Sequence, residues 1–161
     1  MDNDLLKIIS VAREKLKETP HSMLFGDLPN GEDKISNNND IFPAYYEFLK
    51  VCNGARCGDI DLWSNNDLPD TQFYIEELDG GRDIWLCIGQ ILYEPLIFNC
   101  MDEKVYFFRK DELDSAPIFI FDSFYDFFKN YVFGQKYKEI IPDVDNDSWY
   151  DFLTDNEYFV S

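Results

Sequence analysis

Apolar residues recur every three or four positions near the start of the chain, at Leu5, Ile8, Ile9, Ala12 and Leu16. That spacing predicts an amphipathic helix over Asp4–Glu18. Asp2, Asn3 and Asp4 are its candidate caps, and Lys7, Arg13, Lys15, Lys17, Glu14 and Glu18 form a mixed-charge solvent face. Pro20 stops it. The stretch from His21 to Asp40 is rich in Pro, Gly, Asn and Asp, ends in Asn37-Asn38-Asn39-Asp40, and reads as an irregular connection. A second helix begins at Pro43, whose fixed φ suits the first helical position. Asp40 is a candidate cap, and Tyr46, Leu49, Lys50 and Val51 continue the helix. Asn53-Gly54 ends it, because both residues tolerate a left-handed backbone.

The period then changes. Gly58–Trp63 alternates, placing Ile60 and Leu62 on one face and Asp59 and Asp61 on the other, as in a strand with one solvated face. Three short runs rich in β-branched and aromatic residues follow within Ile84–Phe108, separated by Gly89 and by the polar turn at Asp102-Glu103. They predict buried strands, with Leu96–Asn99 and Lys104–Phe108 as a hairpin. Asp111–Pro117 is a loop, and Ile118–Phe121 is a further buried extended run. A helix starts at Ser123 as cap, with Asp126 in the capping-box position. Phe124, Phe127, Phe128, Tyr131 and Val132 form its apolar face, and Gly134 ends it. Between the alternating strand and the central runs, Ser64–Asp83 is polar and acidic. Its Phe73-Tyr74-Ile75 reads equally as a short strand or a helical turn, and Asp79-Gly80-Gly81 is a turn. The order predicts an α+β fold: one domain with a largely antiparallel sheet of short strands, packed by N-terminal helices and a C-terminal helix.

At 161 residues the chain is long enough to bury a core without staples. The formal net charge is -18 and the isoelectric point is near 4.1. Such a charge repels nucleic acid and anionic membrane, and attracts basic proteins or cations; solubility alone also accounts for it. Cys52, Cys57, Cys87 and Cys100 form no Cys-x-x-Cys pair and read as buried reduced thiols. The opening Met-Asp-Asn-Asp does not resemble a signal peptide, and no run is long enough to span a bilayer, so a cytoplasmic protein is expected.

Candidate chemistry is sparse. His21 is the single histidine, sits in a loop and has no evident nucleophile or acid partner. Asp79-Gly80-Gly81 lacks the further Gly and the Lys of a phosphate loop. Asp143, Asp145 and Asp147 alternate as at the start of a calcium loop, but Ser148 stands in place of the turn Gly and Thr154 in place of the closing Glu. Neither metal nor cofactor is therefore expected. The chain beyond Glu139 carries no basic residue, and interleaves Trp149, Tyr150, Phe152, Tyr158 and Phe159 with Asp147, Asp151, Asp155 and Glu157. Trp149, Phe152 and Leu153 can share a helix face, so residues 142–161 read as an acidic, aromatic extension packed on the domain formed by residues 1–141. The same acids and aromatics also suit contact with a basic partner.

Phe42-Pro43-Ala44-Tyr45-Tyr46-Glu47-Phe48-Leu49 followed by Asn53-Gly54 resembles the Leu-Pro-x-x-Tyr…Phe-Leu…Asn-Gly signature of the SUKH superfamily (the SMI-KNR-like domain). Ile88-Gly89, the strand ending at Val105-Tyr106, and Ser123–Phe128 resemble that family's later elements in order, over roughly Leu5 to Phe133. The chain departs from the pattern at Phe42, where Leu is usual, at Ala55, where a second Gly often stands, and at Glu94-Pro95, where Gly-Asp is common. The resemblance implies a non-enzymatic binder, of the type found in bacteria as immunity proteins against secreted or contact-delivered toxins, many of them nucleases. On that expectation Asp59, Asp61, Asp67, Asp70, Glu76, Glu77 and Asp79, with Asp147, Trp149 and Asp151 of the tail, are the candidate contacts to a basic toxin. The alternatives are an intracellular scaffold or regulator with another protein partner, and an acidic metal-dependent hydrolase.

Overall fold

The structure, a computed structural model, describes residues 3–35 and 41–156. The candidate caps Asp2 and Asp40, the Asn37–Asn39 run, and Glu157, Tyr158 and Phe159 of the tail lie outside the described residues.

Helix α1 spans Asn3–Glu18 and buries Leu5, Ile8, Ile9, Ala12 and Leu16, the stripe its spacing predicts. Arg13, on its flank, donates to the carbonyls of Leu28, Pro29 and Val51 at 2.9, 2.5 and 2.7 Å, tying the connection and the end of the second helix to the first. Helix α2 spans Pro43–Val51 with Pro at its start. Its buried residues are Tyr45, Phe48 and Leu49, while Tyr46 is half-buried. The Tyr45 hydroxyl donates toward the carbonyls of Trp63 and Ile88, which anchors α2 to the sheet. Gly54, at φ 86, turns the chain after α2.

Among the described residues, seven strands form one antiparallel sheet in sequential order: β1 Gly26–Asp27, β2 Ala55–Cys57, β3 Ile60–Leu62, β4 Trp85–Ile91, β5 Glu94–Asn99, β6 Val105–Phe107 and β7 Phe119–Phe121. With the helices this makes a single α+β domain. The β5–β6 hairpin pairs Leu96 with Phe107 and Phe98 with Val105, in the predicted place. Gly89 does not end a strand as its composition suggested. It sits inside β4 at an irregularity of the β4–β5 register, where a Cβ would lie 2.1 Å from the Asp61 carbonyl oxygen. The chain reverses instead at Leu92-Tyr93. Strand β1 lies inside what reads as an irregular connection; two residues are too few to leave a period. Strand β7 is an edge, and Ile118 and Ile120 are 42% and 43% exposed rather than buried.

One face of the sheet carries the main core under the helices. Ser123 Oγ accepts the Asp126 N–H at 3.0 Å and opens helix α3, Phe124–Asp126, which runs on as a π-helix over Phe127–Val132. Phe124, Phe127, Phe128, Tyr131 and Val132 are all buried. The aromatic content of 17% is concentrated here: Phe48 lies 5.2 Å from Phe128 and Phe121 lies 4.6 Å from Phe127, ring to ring. A short helix α4, Tyr137–Ile140, precedes the C-terminal helix α5, Ser148–Asp155, whose Trp149, Phe152 and Leu153 pack on the domain as their spacing predicts. No helix among the described residues is long and apolar enough to cross a membrane.

The other face carries a smaller core of Ile75, Cys87, Ile97, Phe108 and Leu113, with Tyr74, Leu78, Trp85 and Tyr106 packed against it. Its cover is the acidic Ser64–Asp83 segment, folded as successive 3-10 turns at Leu68–Thr71, Phe73–Glu77 and Gly81–Asp83. Phe73-Tyr74-Ile75 is thus a helical turn.

Candidate partner-binding surface

The acidic segment is a platform held at defined points. Leu68 and Ile75 are buried beneath it. Gln72, 6% exposed, donates from Nε2 to the Cys87 carbonyl at 2.8 Å and to the Leu68 carbonyl at 2.9 Å, and accepts the Cys87 N–H on Oε1 at 2.8 Å. The reason is topological. Strand β3 stops at Leu62 and the Trp63 N–H bonds the Ile88 carbonyl, so Cys87 has no strand neighbour on that side. A buried peptide group requires partners, and one side-chain amide supplies both.

Pinned in this way, the platform leaves Asp67, Asp70, Glu76, Glu77 and Asp79 in solvent. Arg82 is the cation among them, and its 3.5 Å pair with Glu76 lies at the surface with both side chains about two-thirds exposed, so it neutralises little. Phe73 stands among these acids at 60% exposure, with its ring 4.3 Å from that of Tyr74.

Beside the platform, the described residues leave the same sheet face open. Register places Asp27 opposite Arg56, Arg56 opposite Asp61, and Asp61 opposite Gln90, a polar row across four strands. Asp61 accepts from Arg56 Nε at 3.2 Å and from Gln90 Nε2 at 2.9 Å. A cleft of about 530 Å³ lies over this row, with Asp27, Asp61, Asp67 and Trp63 in its walls and Met23, 82% exposed, on its rim. Three carboxylates face one guanidinium there, so the cleft has a negative potential sharpened by the low-dielectric sheet beneath it.

The ten residues proposed from sequence therefore divide. Asp61 and Asp67 share the cleft, and Asp70, Glu76, Glu77 and Asp79 occupy the platform. Asp59 stands apart at the β2–β3 turn, where partial burial and the carboxylates of Asp147 and Asp61 raise its pKa above the usual range. Asp151 is exposed on α5. Asp147 and Trp149 do not belong to a contact surface. Asp147 is 8% exposed and Trp149 fully buried. One Asp147 oxygen accepts the Tyr150 N–H at 2.9 Å as cap of α5, and the other accepts the Tyr137 hydroxyl at 2.6 Å. Trp149 donates its indole N–H to the Val132 carbonyl at 2.8 Å and packs 5.3 Å from Phe133. Gly26 makes room for that ring, since a Cβ there would meet it at 2.8 Å.

Asp27, Arg56 and Met23 leave no mark in the local pattern, because sheet register brings Asp27 and Arg56 to Asp61 and the Ser22–Leu24 turn sets Met23 on the rim of the cleft. Phe73 was findable, as an aromatic among acids in a segment with little apolar periodicity. These features define a small α+β domain with an acidic, partly aromatic surface and a structured platform. No family model matches the chain, and no curated protein does.

Proposed function

We propose that this chain is a cytoplasmic immunity protein that binds a basic toxin and blocks it by occlusion, without catalysis of its own. The acidic platform carries the proposal: a segment with several exposed carboxylates is held against the sheet by a buried side chain, beside an open acidic cleft. Charge on a preorganised surface accelerates and orients association with a basic partner, and an exposed aromatic such as Phe73 supplies buried area once docked. A nuclease is the favoured target class, because its active site must attract a polyanion and so presents cations that Asp61, Asp67, Asp70, Glu76, Glu77 and Asp79 can meet. The SUKH resemblance of Phe42–Leu49, Asn53-Gly54 and Ser123–Phe128 supports the same reading.

The test is co-expression with the toxin encoded beside it. Rescue of growth, with binding that weakens as salt rises, is expected. Reversing Asp70, Glu76 and Glu77 to Lys together should abolish rescue while leaving the melting temperature nearly unchanged, because all three are exposed. No rescue by the wild-type chain refutes the immunity reading.

A further inference from the structure

The reversal between β4 and β5 places two successive non-glycine residues in the left-handed region. Leu92 and Tyr93 have φ of 52 and 67. Ile91 pairs with Glu94, so these two residues are the whole turn. A two-residue hairpin turn takes left-handed φ at both positions to match strand twist, and Asn-Gly is the relaxed way to fill it. Side chains with a Cβ are disfavoured there, and bulky ones more so. Burial does not offset the strain: Tyr93 is 76% exposed and Leu92 is 36% exposed.

The tip has a defined place. The Leu92 N–H donates to the Asp59 carbonyl at 3.0 Å, which sets it beside the β2–β3 turn. Asp147 and Asp61, the carboxylates that help raise the Asp59 pKa beside its partial burial, add negative charge at this turn. At this end of the sheet, then, an exposed phenol ring on a two-residue turn stands beside a negative potential. A rigid tyrosine offers large contact area at small entropic cost. Strain retained in an exposed turn is an expense to the free protein that a bound state can recover.

We propose that the Leu92-Tyr93 tip is the apolar anchor of the partner-binding surface, docking on a basic protein segment whose lysine or arginine side chains meet Asp59. This rests on reading the chain as a binder of a basic protein, and it adds a contact at the sheet end that the acidic platform does not include. Charge selects the occupant: a second copy of this chain would bring -18 against -18, and an acidic segment would meet the same repulsion.

The probe is a fluorescein-labelled peptide of alternating arginine and leucine, titrated by anisotropy at physiological salt. Wild type is compared with Tyr93→Ala, with the double variant Leu92→Asn/Tyr93→Gly, and with Met101→Ala. Met101 is 77% exposed and lies at the other end of the β5 hairpin. Both tip variants should bind the peptide about tenfold or more weakly, a loss of the size carried by interface anchors. Met101→Ala should leave affinity within about twofold, as expected for residues outside the anchor. The double variant should also melt about 2–4 °C higher or more, reporting relief of the turn. Unchanged affinity on Tyr93→Ala, an equal loss on Met101→Ala, no binding by wild type, or a lower melting temperature for the double variant overturns the proposal. The peptide tests basic and apolar contact without any toxin, so failure of toxin rescue and failure of the tip are read in separate experiments.

Discussion

Truncation of Gln72 tests how the acidic platform is held. In Gln72→Ala the Cys87 N–H and C=O both lose their partner, while the Leu68 carbonyl keeps the Thr71 hydroxyl at 3.1 Å. Both Cys87 groups point away from β5 into a core where Cys87 is 1% exposed. Two stranded groups at roughly 1–3 kcal/mol each predict a loss of about 2–6 kcal/mol, a large share of the ~5–15 kcal/mol typical of a domain. Urea unfolding followed by tryptophan fluorescence measures it, and hydrogen exchange at the Cys87 amide localises it. Gln72→Glu is the second arm. It retains an acceptor for the Cys87 N–H but sets a carboxylate against two carbonyl oxygens, which raises its pKa in the folded state. A raised pKa means that its stability is kept below the unfolded carboxyl range and lost as pH rises through the folded value. Gln72→Glu should therefore approach wild type in acid and fall well below it at neutral pH. A loss under about 0.5 kcal/mol for Gln72→Ala, the level of an ordinary surface change, with Cys87 exchange unaltered, would refute the reasoning.

Asp59 and the thiols give two further expectations. Because Asp59 has a raised pKa, its ionisation opposes folding as pH climbs, so Asp59→Asn should melt higher than wild type at neutral pH and match it once the carboxyl is protonated; equal melting at neutral pH contradicts this. Cys52 and Cys87 are buried, and burial pushes their pKa values up to about 12 and about 11, while Cys57 is fully buried and likewise raised. A water-soluble alkylating reagent should thus label the half-exposed Cys100 in the folded protein and the other three only in denaturant. Mass spectrometry reads the outcome, and prompt labelling of Cys52 or Cys87 in the native state would count against it.

Whatever repeats with the period of one element could be read in advance. The stripe Leu5–Leu16, the Pro43 start, the Ile60/Leu62 alternation, the β5–β6 hairpin, the Ser123 cap and the Trp149/Phe152/Leu153 face are all local patterns, set by neighbours within a turn or a strand pair. The same local logic misread Gly89 as a strand boundary. Its need for a missing Cβ comes from the Asp61 carbonyl, 28 residues earlier in the chain, and no local period reports such a distance.

The sequence by itself determined the α+β class, the large negative charge and the acidic character of Ser64–Asp83. These are sums or short-range patterns that folding does not change. Tertiary structure alone decided which acids act together and which are spoken for. It turned Asp147 and Trp149 inward, because a helix cap and an indole N–H need buried partners. It brought Asp27, Arg56, Asp61 and Gln90 into one row, because sheet register pairs residues remote in sequence. It also made Gln72 the clasp of the platform and left Leu92-Tyr93 exposed at a strained turn, since both roles depend on where neighbouring strands end.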